Sequence, residues 1–173
     1  MSGGKRGPRE AATIIAGDCS VVASDVAGTL AAPSSEGAVA EAISSPDRYA
    51  LVCELGRGGM GRVDLLFDRA LGRTVARKTA IADAHTDHLV IEAQIGAQLE
   101  HPSIVPVYDV AIVDGRPEYT MRVVRGRTLG AVLDDNATGR PKTPLAQLLG
   151  VLRQVCLAVD YAHSRGVVHR DLK

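Results

Sequence analysis

The sequence predicts an α+β fold in which an antiparallel sheet and one helix precede a helical segment. Three observations support this prediction. Alternating apolar runs separated by glycine-rich turns lie between residues 49 and 80, as in paired strands. A helical pattern follows near residue 90, and a broad apolar stripe at helical spacing runs from 145 to 159.

Each element can be placed from its own pattern. The last helix should begin after Thr143, whose hydroxyl can cap it, with Pro144 at its first position. Gly166 is expected to end that helix. The other elements are expected as strands at residues 49–55, 63–67, 74–80, 105–113 and 118–124, and as helices at 87–100 and 129–134.

Composition limits the classes of function. Hydrophobic residues make up 46% of the 173 residues and aromatic residues 3%, so a core of Leu, Val, Ile and Ala can form. The formal net charge is zero, which argues against a nucleic-acid or membrane-surface protein that binds through bulk positive charge. The scattered cysteines Cys19, Cys53 and Cys156 lack metal-ligand spacing and predict free thiols in a reducing compartment.

The chain divides into three segments. Residues 1–47 are rich in Ala, Gly and Ser and are expected to form a flexible low-complexity arm. Residues 48–125 carry the predicted sheet and first helix, and residues 126–173 begin the helical segment. No apolar stretch is expected to reach the ~18–20 residues that span a bilayer. The visible chain is therefore expected to be cytoplasmic, and any anchor beyond residue 173 is left open.

A glycine-rich turn is the first candidate binding element. Gly56, Gly58 and Gly61 fit the pattern G-x-G-x-x-G, which also occurs in dinucleotide-binding turns and ordinary hairpins. A dinucleotide fold requires a helix directly after the glycines. The β-type run at residues 63–67 instead favours a hairpin whose backbone N–H groups can face the oxygens of a triphosphate.

Two charged residues extend this pattern. Alternation on the third strand places Ala76 and Lys78 on one face, so Lys78 can reach the phosphates while Ala76 leaves room for a flat base. Glu92, at the edge of the apolar face of the following helix, can hold the flexible lysine side chain in position. Lys78 or Glu92 alone would be interpreted as an ordinary surface charge. The prediction depends on their occurring together with the glycine-rich turn.

The catalytic-loop sequence His169-Arg170-Asp171-Leu172-Lys173 completes a resemblance. In this order, the glycine loop, Lys78, Glu92 and the loop opening resemble a protein kinase, most like bacterial serine/threonine kinases of eukaryotic type. His101-Pro102 and the run from Tyr161 to Gly166 also match the family. The resemblance covers about residues 48–173 and implies a five-stranded lobe with its αC helix, followed by the first helices of an incomplete helical lobe.

The resemblance also implies roles for individual residues. Asp171 would orient the substrate hydroxyl and accept its proton, and Lys173 would neutralise charge on the transferred phosphoryl group. Lys78 would contact the α- and β-phosphates and pair with Glu92. Met121 would be the gatekeeper before a hinge at 122–124. The ATP cleft would be formed by Leu55, Gly56, Arg57, Gly58, Gly59, Met60, Gly61, Val63, Ala76, Lys78, Met121 and Val124, with the adenine between Val63 and Ala76.

The sequence departs from the family pattern at two positions. Arg122 replaces the acidic residue that often follows the gatekeeper, which is tolerable because the backbone recognises adenine. Gly96 replaces a bulky apolar residue one turn after Glu92. It is expected to leave a gap in the packing, so that αC swings out and Gly96→Leu raises basal activity.

The resemblance places the magnesium-binding residues beyond Lys173. The expected function is ATP- and Mg²⁺-dependent phosphoryl transfer to serine or threonine of unidentified protein substrates, with little transfer by these 173 residues alone. The apolar stripe at 145–159 is also expected to lack its normal cover. The alternative is a pseudokinase module that binds a nucleotide or a partner without catalysis. A dinucleotide-dependent oxidoreductase is disfavoured because no βαβ unit follows the glycines.

Overall fold

The computed structural model describes residues 35, 37, 43, 45, 47–59, 61–81, 86–138, 143–170 and 172. Most of the predicted arm, together with Met60, Asp171 and Lys173, lies outside this set. The described chain contains a five-stranded antiparallel sheet with a helix inserted before its fourth strand, followed by two further helices. This architecture confirms the predicted α+β fold.

The five strands pair in the order β1-β2-β3-β5-β4. They are β1 (Tyr49–Arg57), β2 (Gly61–Asp68), β3 (Arg73–Ala80), β4 (Val107–Val113) and β5 (Arg116–Met121). Strand β5 ends earlier than predicted because the chain leaves the sheet after Met121. The Arg122 N–H donates to the Pro106 carbonyl at 3.1 Å, outside the strand ladder.

The register of the strands separates two faces of the sheet. Val63 pairs with Lys78 and Lys78 pairs with Tyr119 across β2, β3 and β5. Because directly paired residues project to the same side, these side chains share one face, which is called the cleft face below. Arg77 and Asp64 pair with each other and project from the opposite face.

Helix α1 (Thr86–Gln98) packs on the cleft face. Leu89 and Ala93 are its buried residues and join Ala80 and Tyr119 in a core cluster. The expected gap at Gly96 is narrower than predicted, because α1 and β4 approach each other there. A Cβ atom on Gly96 would lie 3.1 Å from Val107 Cγ2, so glycine permits this contact.

Two helices follow the sheet, α2 (Leu129–Thr138) and α3 (Leu145–Ser164). The predicted capping role of Thr143 is wrong, because Pro144 is the N-cap and no side chain caps α3. The backbone N–H of Thr143 instead donates to Asn136 Oδ1 at 2.8 Å, and its carbonyl accepts from Asn136 Nδ2 at 3.2 Å. The link to α2 therefore occupies the backbone polar groups of Thr143.

The predicted end of α3 at Gly166 is confirmed. Gly166 has a φ of 76°, a left-handed conformation that glycine adopts without a steric penalty. Its N–H donates to the His163 carbonyl, and the Val167 N–H donates to the Ala162 carbonyl, both at 2.9 Å. These two bonds form a Schellman motif that satisfies carbonyls at the helix terminus.

Helix α3 bears on the expectation that no apolar stretch spans a bilayer. By length and composition it could cross a membrane, with 20 residues and a mean hydropathy of 1.3. Arg153 and Asp160 interrupt the helix, so it is not the continuous apolar stretch that the sequence analysis expected to be absent. The helix is also amphipathic, and core helices of soluble proteins pass the same test, so the finding by itself is weak evidence for a membrane span.

The structure also corrects the expectation that the cysteines are free thiols. Cys53 in β1 is disulfide-bonded, whereas the described Cys156 is free and exposed. Spacing along the sequence could not predict this bond, because it depends on which sulfur atoms meet in space.

Candidate functional site

The glycine-rich turn between β1 and β2 closes over the cleft face. The Gly58 N–H donates to the Gly61 carbonyl at 2.9 Å. A Cβ atom on Gly61 would lie 2.8 Å from the Thr79 carbonyl oxygen and 3.6 Å from Lys78 Cε. The turn therefore lies directly over the lysine side chain, and only glycine fits at Gly61. Met60 lies outside the described residues.

Lys78 and Glu92 form the central ion pair of the site. Lys78 Nζ lies 2.7 Å from Glu92 Oε1 and 2.6 Å from Oε2. The predicted contact is thus present, and it joins β3 to α1. The side chain of Lys78 is 21% exposed and that of Glu92 is 52% exposed. The pair is therefore partly open to solvent, mainly on the Glu92 side.

Tyr119 is part of this arrangement and was missed by the sequence analysis. Its hydroxyl group donates a hydrogen bond to Glu92 Oε1 at 3.0 Å, and Lys78 Nζ lies 5.9 Å from the centre of its ring. Burial, followed by the charge of Glu92 and this hydrogen bond, raises the pKa of Tyr119. Alternation in β5 could have placed Tyr119 on the same face as Met121, but only the β3–β5 register brings it to Lys78.

The apolar residues predicted for the cleft lie next to the ion pair. Val63 and Ala76 are buried, and Ala76 pairs with Met121 across β3 and β5. Met121 is partly buried and packs against the core cluster. Val124 is 67% exposed and lies beyond the end of β5. The sheet register therefore places Val63, Ala76 and Met121 on one face and Val124 on the connection to the helical segment.

The start of the glycine turn carries its own ion pair. Arg57 donates to both oxygens of Glu54, at 3.2 and 2.7 Å. Both side chains are exposed, so this pair contributes little to stability. Leu55 and Gly56 are half-buried between them, and Gly59 has open space where a Cβ atom would lie.

A second charged cluster lies on the opposite face of the sheet and is separate from the Lys78–Glu92 ion pair. Arg77 contacts Asp64 at 3.2 Å and Glu118 at 3.5 Å, and Arg62 contacts Asp64 at 3.0 Å. Asp64 is 2% exposed, and burial raises the pKa of Glu118. Although Arg77 precedes Lys78, strand alternation directs the two cations to opposite faces, and Arg77 is held within this cluster.

The catalytic-loop sequence lies after α3. Tyr161 of α3 stacks on His101 with 5.5 Å between ring centres, and its hydroxyl group accepts from the Glu100 N–H at 3.2 Å. These contacts connect the helical segment to the turn after α1. Arg170 has a φ of 61°, an uncommon conformation for a residue other than glycine. Asp171 and Lys173 lie outside the described residues, so their predicted roles stay predictions.

The sheet with its inserted helix and the bridging ion pair define a kinase-type lobe. A protein-family model described as the protein kinase domain matches residues 49–173. The chain belongs to the protein kinase family. The relatives found also support the bacterial eukaryotic-type serine/threonine group suggested by the sequence.

Relatives and solved structures agree with this assignment. The serine/threonine-protein kinase PknD of Chlamydia caviae is 36% identical over 138 residues, which cover 73% of this chain and 15% of the relative. PknD of Chlamydia trachomatis is 37% identical with the same coverage. The crystal structure of the Mycobacterium tuberculosis PknI kinase domain superposes with a TM-score of 0.56 at 29% identity, covering 73% of this chain and 53% of that domain. The chain thus spans a small part of the curated relatives and about half of the solved domain.

Proposed function

We propose that this chain supplies the ATP-binding part of a serine/threonine protein kinase, which transfers the γ-phosphoryl group of ATP to protein hydroxyl groups. The observation that supports this proposal most strongly is the Lys78–Glu92 ion pair, which lies directly beneath Gly61. A carboxylate with both oxygens on one ammonium group fixes a flexible side chain in a single position. The family assignment makes ATP the expected ligand of that ammonium group.

The described residues fit a triphosphate. The close approach at Gly61 excludes any side chain, so backbone N–H groups of the turn can face phosphate oxygens. Lys78 would contact the α- and β-phosphates, and Glu92 would keep its ammonium group there. Val63 and Ala76 would hold the adenine, with Met121 at the back of the cleft. Bound ATP would supply the phosphoryl group, and Mg²⁺ would neutralise charge as that group is transferred.

The remaining roles rest on the resemblance. Asp171 would accept the proton of the substrate hydroxyl, and Lys173 would neutralise charge on the transferred group. Among the described residues, no cluster of three or more His, Cys, Asp or Glu could hold a metal ion, and the resemblance places the magnesium ligands beyond Lys173. We therefore expect no measurable transfer by the 173-residue polypeptide alone. Robust transfer that Asp171→Asn abolishes would contradict this expectation.

Transfer from Mg·[γ-³²P]ATP to a general protein substrate tests the proposal. The assay uses the natural protein, meaning the full polypeptide to which these 173 residues belong. Lys78→Met should reduce kcat/KM by about 10²-fold or more, because it removes a donor that stabilises transition-state charge. Arg116→Met is the matched control, since Arg116 is an exposed cation at the far end of β5 and its loss should leave transfer unchanged. Transfer that survives Lys78→Met would overturn the proposal, and nucleotide binding without transfer would favour the pseudokinase alternative.

A further inference from the structure

Tyr119 lies against both members of the Lys78–Glu92 ion pair. Its ring lies on the cleft face beside Lys78, because the two residues are direct partners across β3 and β5. Its hydroxyl group lies 3.0 Å from Glu92 Oε1. One side chain from the sheet therefore places its ring beside the cation and its hydroxyl group on the carboxylate.

The ring of Tyr119 is held rigidly by its surroundings. Tyr119 is 4% exposed and belongs to the core cluster with Ala80, Leu89 and Ala93. Packing of this kind restricts an aromatic side chain to one rotamer. The hydroxyl group is consequently a fixed donor, and the ionised Glu92 carboxylate can only accept.

The Glu92 side chain is less restrained by its surroundings than the Lys78 side chain. The Glu92 side chain is 52% exposed on the outer part of α1, whereas Lys78 emerges from a paired strand and is 21% exposed. An exposed ion pair gains little net free energy, because water competes for both groups and the side chains lose rotational freedom. A third contact from a rigid, buried ring reduces that freedom for the carboxylate.

We propose that Tyr119 is a positioning residue whose hydroxyl group holds Glu92 in the orientation that presents Lys78 to the nucleotide phosphates. Strand β5 then helps to set the working position of α1, in addition to carrying Met121 into the cleft. This inference rests on the proposed kinase function. It assigns Tyr119 no direct contact with ATP or with the protein substrate.

Tyr119→Phe in the natural protein tests the proposal, because it removes the hydroxyl group and retains the buried ring. The expected result is a kcat for transfer from Mg·ATP lowered by about tenfold, as for loss of one hydrogen bond to a charged group. The KM for ATP should change less than kcat. Tyr108→Phe removes a hydroxyl group from the more exposed tyrosine of β4 and should leave kcat unchanged.

A double-mutant cycle with Glu92→Ala separates positioning from simple stabilisation. If Tyr119 acts through Glu92, Tyr119→Phe should lower kcat no further once Glu92 is alanine. An equal loss of kcat in both backgrounds would overturn the proposal, and so would an unchanged kcat in Tyr119→Phe alone. The melting temperatures of the parent and Tyr119→Phe are measured in parallel to detect global unfolding.

Amide hydrogen exchange distinguishes failure of this proposal from failure of the kinase assignment. If the natural protein transfers no phosphate, the proposed function fails, and exchange in α1 decides whether Tyr119 positions that helix. Tyr119→Phe should then accelerate exchange across residues 86–98, and Tyr108→Phe should not. Unchanged exchange in Tyr119→Phe would overturn the positioning role independently of any activity.

Discussion

Gly61 and Gly59 belong to the same glycine-rich turn but have different surroundings. A Cβ atom at Gly61 would meet the Thr79 carbonyl oxygen at 2.8 Å, whereas a Cβ atom at Gly59 would meet nothing within 4 Å. The sequence pattern treats the glycines alike. The structure shows that Gly61 is required by close packing against β3, while Gly59 is open to substitution.

Gly61→Ala should therefore weaken nucleotide binding and the β2–β3 pairing. The new methyl group must displace backbone, which typically costs about 1–3 kcal/mol, and it also presses on Lys78. We expect a lower melting temperature and a raised Kd for Mg·ATP, measured by thermal unfolding and isothermal titration calorimetry. Gly59→Ala is the matched control for packing and should leave the melting temperature unchanged, because a Cβ atom there meets nothing within 4 Å. Equal effects of the two variants would contradict the packing explanation.

Asp68 is a second residue whose role depends on burial. It is 0% exposed and accepts two hydrogen bonds from Arg48, at 3.0 and 2.9 Å, and others from the backbone N–H groups of Ala70 and Leu71. Burial alone would raise the pKa of Asp68, but Arg48 and the two N–H groups together lower it below its ordinary value. The ionised carboxylate therefore stabilises the folded state.

Asp68→Asn should lower the free energy of unfolding by about 2–3 kcal/mol at pH 7. Because the folded pKa is lower than the unfolded pKa, the ionised group contributes its stability above about pH 4. That contribution is lost as the pH falls through the folded pKa. Urea unfolding at a series of pH values should show the parent and variant converging towards low pH.

The exposed Asp47 provides the control for this pH dependence. Asp47→Asn removes an acidic group one residue before Arg48 but leaves the buried hydrogen bonds intact. It should change the free energy of unfolding only slightly at every pH. A difference between the parent and Asp68→Asn that stays constant down to about pH 3 would show that ionisation of Asp68 is not the cause.

At the scale of elements, the contact between α1 and β4 bears on the expected effect of filling the position of Gly96. The family pattern predicts a gap at Gly96 that a leucine could fill with a gain in activity. A Cβ atom added to Gly96 would lie 3.1 Å from Val107 Cγ2, so that methyl group would have to shift by a few tenths of an ångström to admit it. The glycine lets α1 lie close to β4 at this point, one helical turn after Glu92.

Gly96→Leu should therefore lower kinase activity and stability, because the larger side chain pushes α1 away from β4. Overpacking of this kind typically costs about 1–3 kcal/mol. Phosphoryl transfer and thermal unfolding of the natural protein provide the measurements. Adding Val107→Ala should restore part of both losses by making room for the leucine. Higher activity in Gly96→Leu would support the original expectation of a gap.

Gly150 in α3 provides the contrasting helix glycine. A Cβ atom there would meet nothing within 4 Å. Gly150→Ala should stabilise the folded state by up to about 1 kcal/mol, since alanine has the higher helix propensity. Comparing the melting temperatures of Gly150→Ala and Gly96→Ala would separate the effect of helix propensity from the effect of packing. Only Gly96→Ala brings the new methyl group against Val107.

Much of the element pattern could be predicted because hydrophobic periodicity is a local property. The five strands and three helices occur where the sequence indicated them, and Gly166 ends α3 as expected. The errors lie at boundaries and at contacts between elements. Thr143 does not cap α3 because its backbone pairs with Asn136, and a partner from another element cannot be read from the local pattern.

At the scale of the whole molecule, α3 has an uncovered apolar face. In the described chain its only buried residue is Ala162, whereas Leu149 and Leu152 are 54% and 53% exposed. Contacts at its carboxyl-terminal end, including the Tyr161–His101 stack, join it to the first lobe. The helix contacts the first lobe from Gln154 at its midpoint to its carboxyl-terminal end, and its apolar side chains are exposed along most of its length, as the sequence analysis expected.

The 173-residue polypeptide should therefore self-associate and bind a hydrophobic dye, since contiguous exposed apolar surface promotes association. Replacing Leu149 and Leu152 with glutamine should reduce both effects, measured by sedimentation velocity and dye fluorescence. Leu71→Gln is the control, because Leu71 is 58% exposed in the turn between β2 and β3, away from α3. A monodisperse parent polypeptide without dye binding would contradict this prediction.

The sequence by itself determined the family, the order of the elements and the residue types at the nucleotide site. These follow from local periodicity and from motifs such as the glycine turn, Lys78 and the HRDLK run. Only the tertiary structure decided which atoms meet. It identified the hydrogen bond from Tyr119 to Glu92, the contact of Gly96 with Val107 and the carboxylate partners of Lys78 and Arg77. The reason is that strand register and helix placement depend on packing between distant segments, which no local pattern encodes.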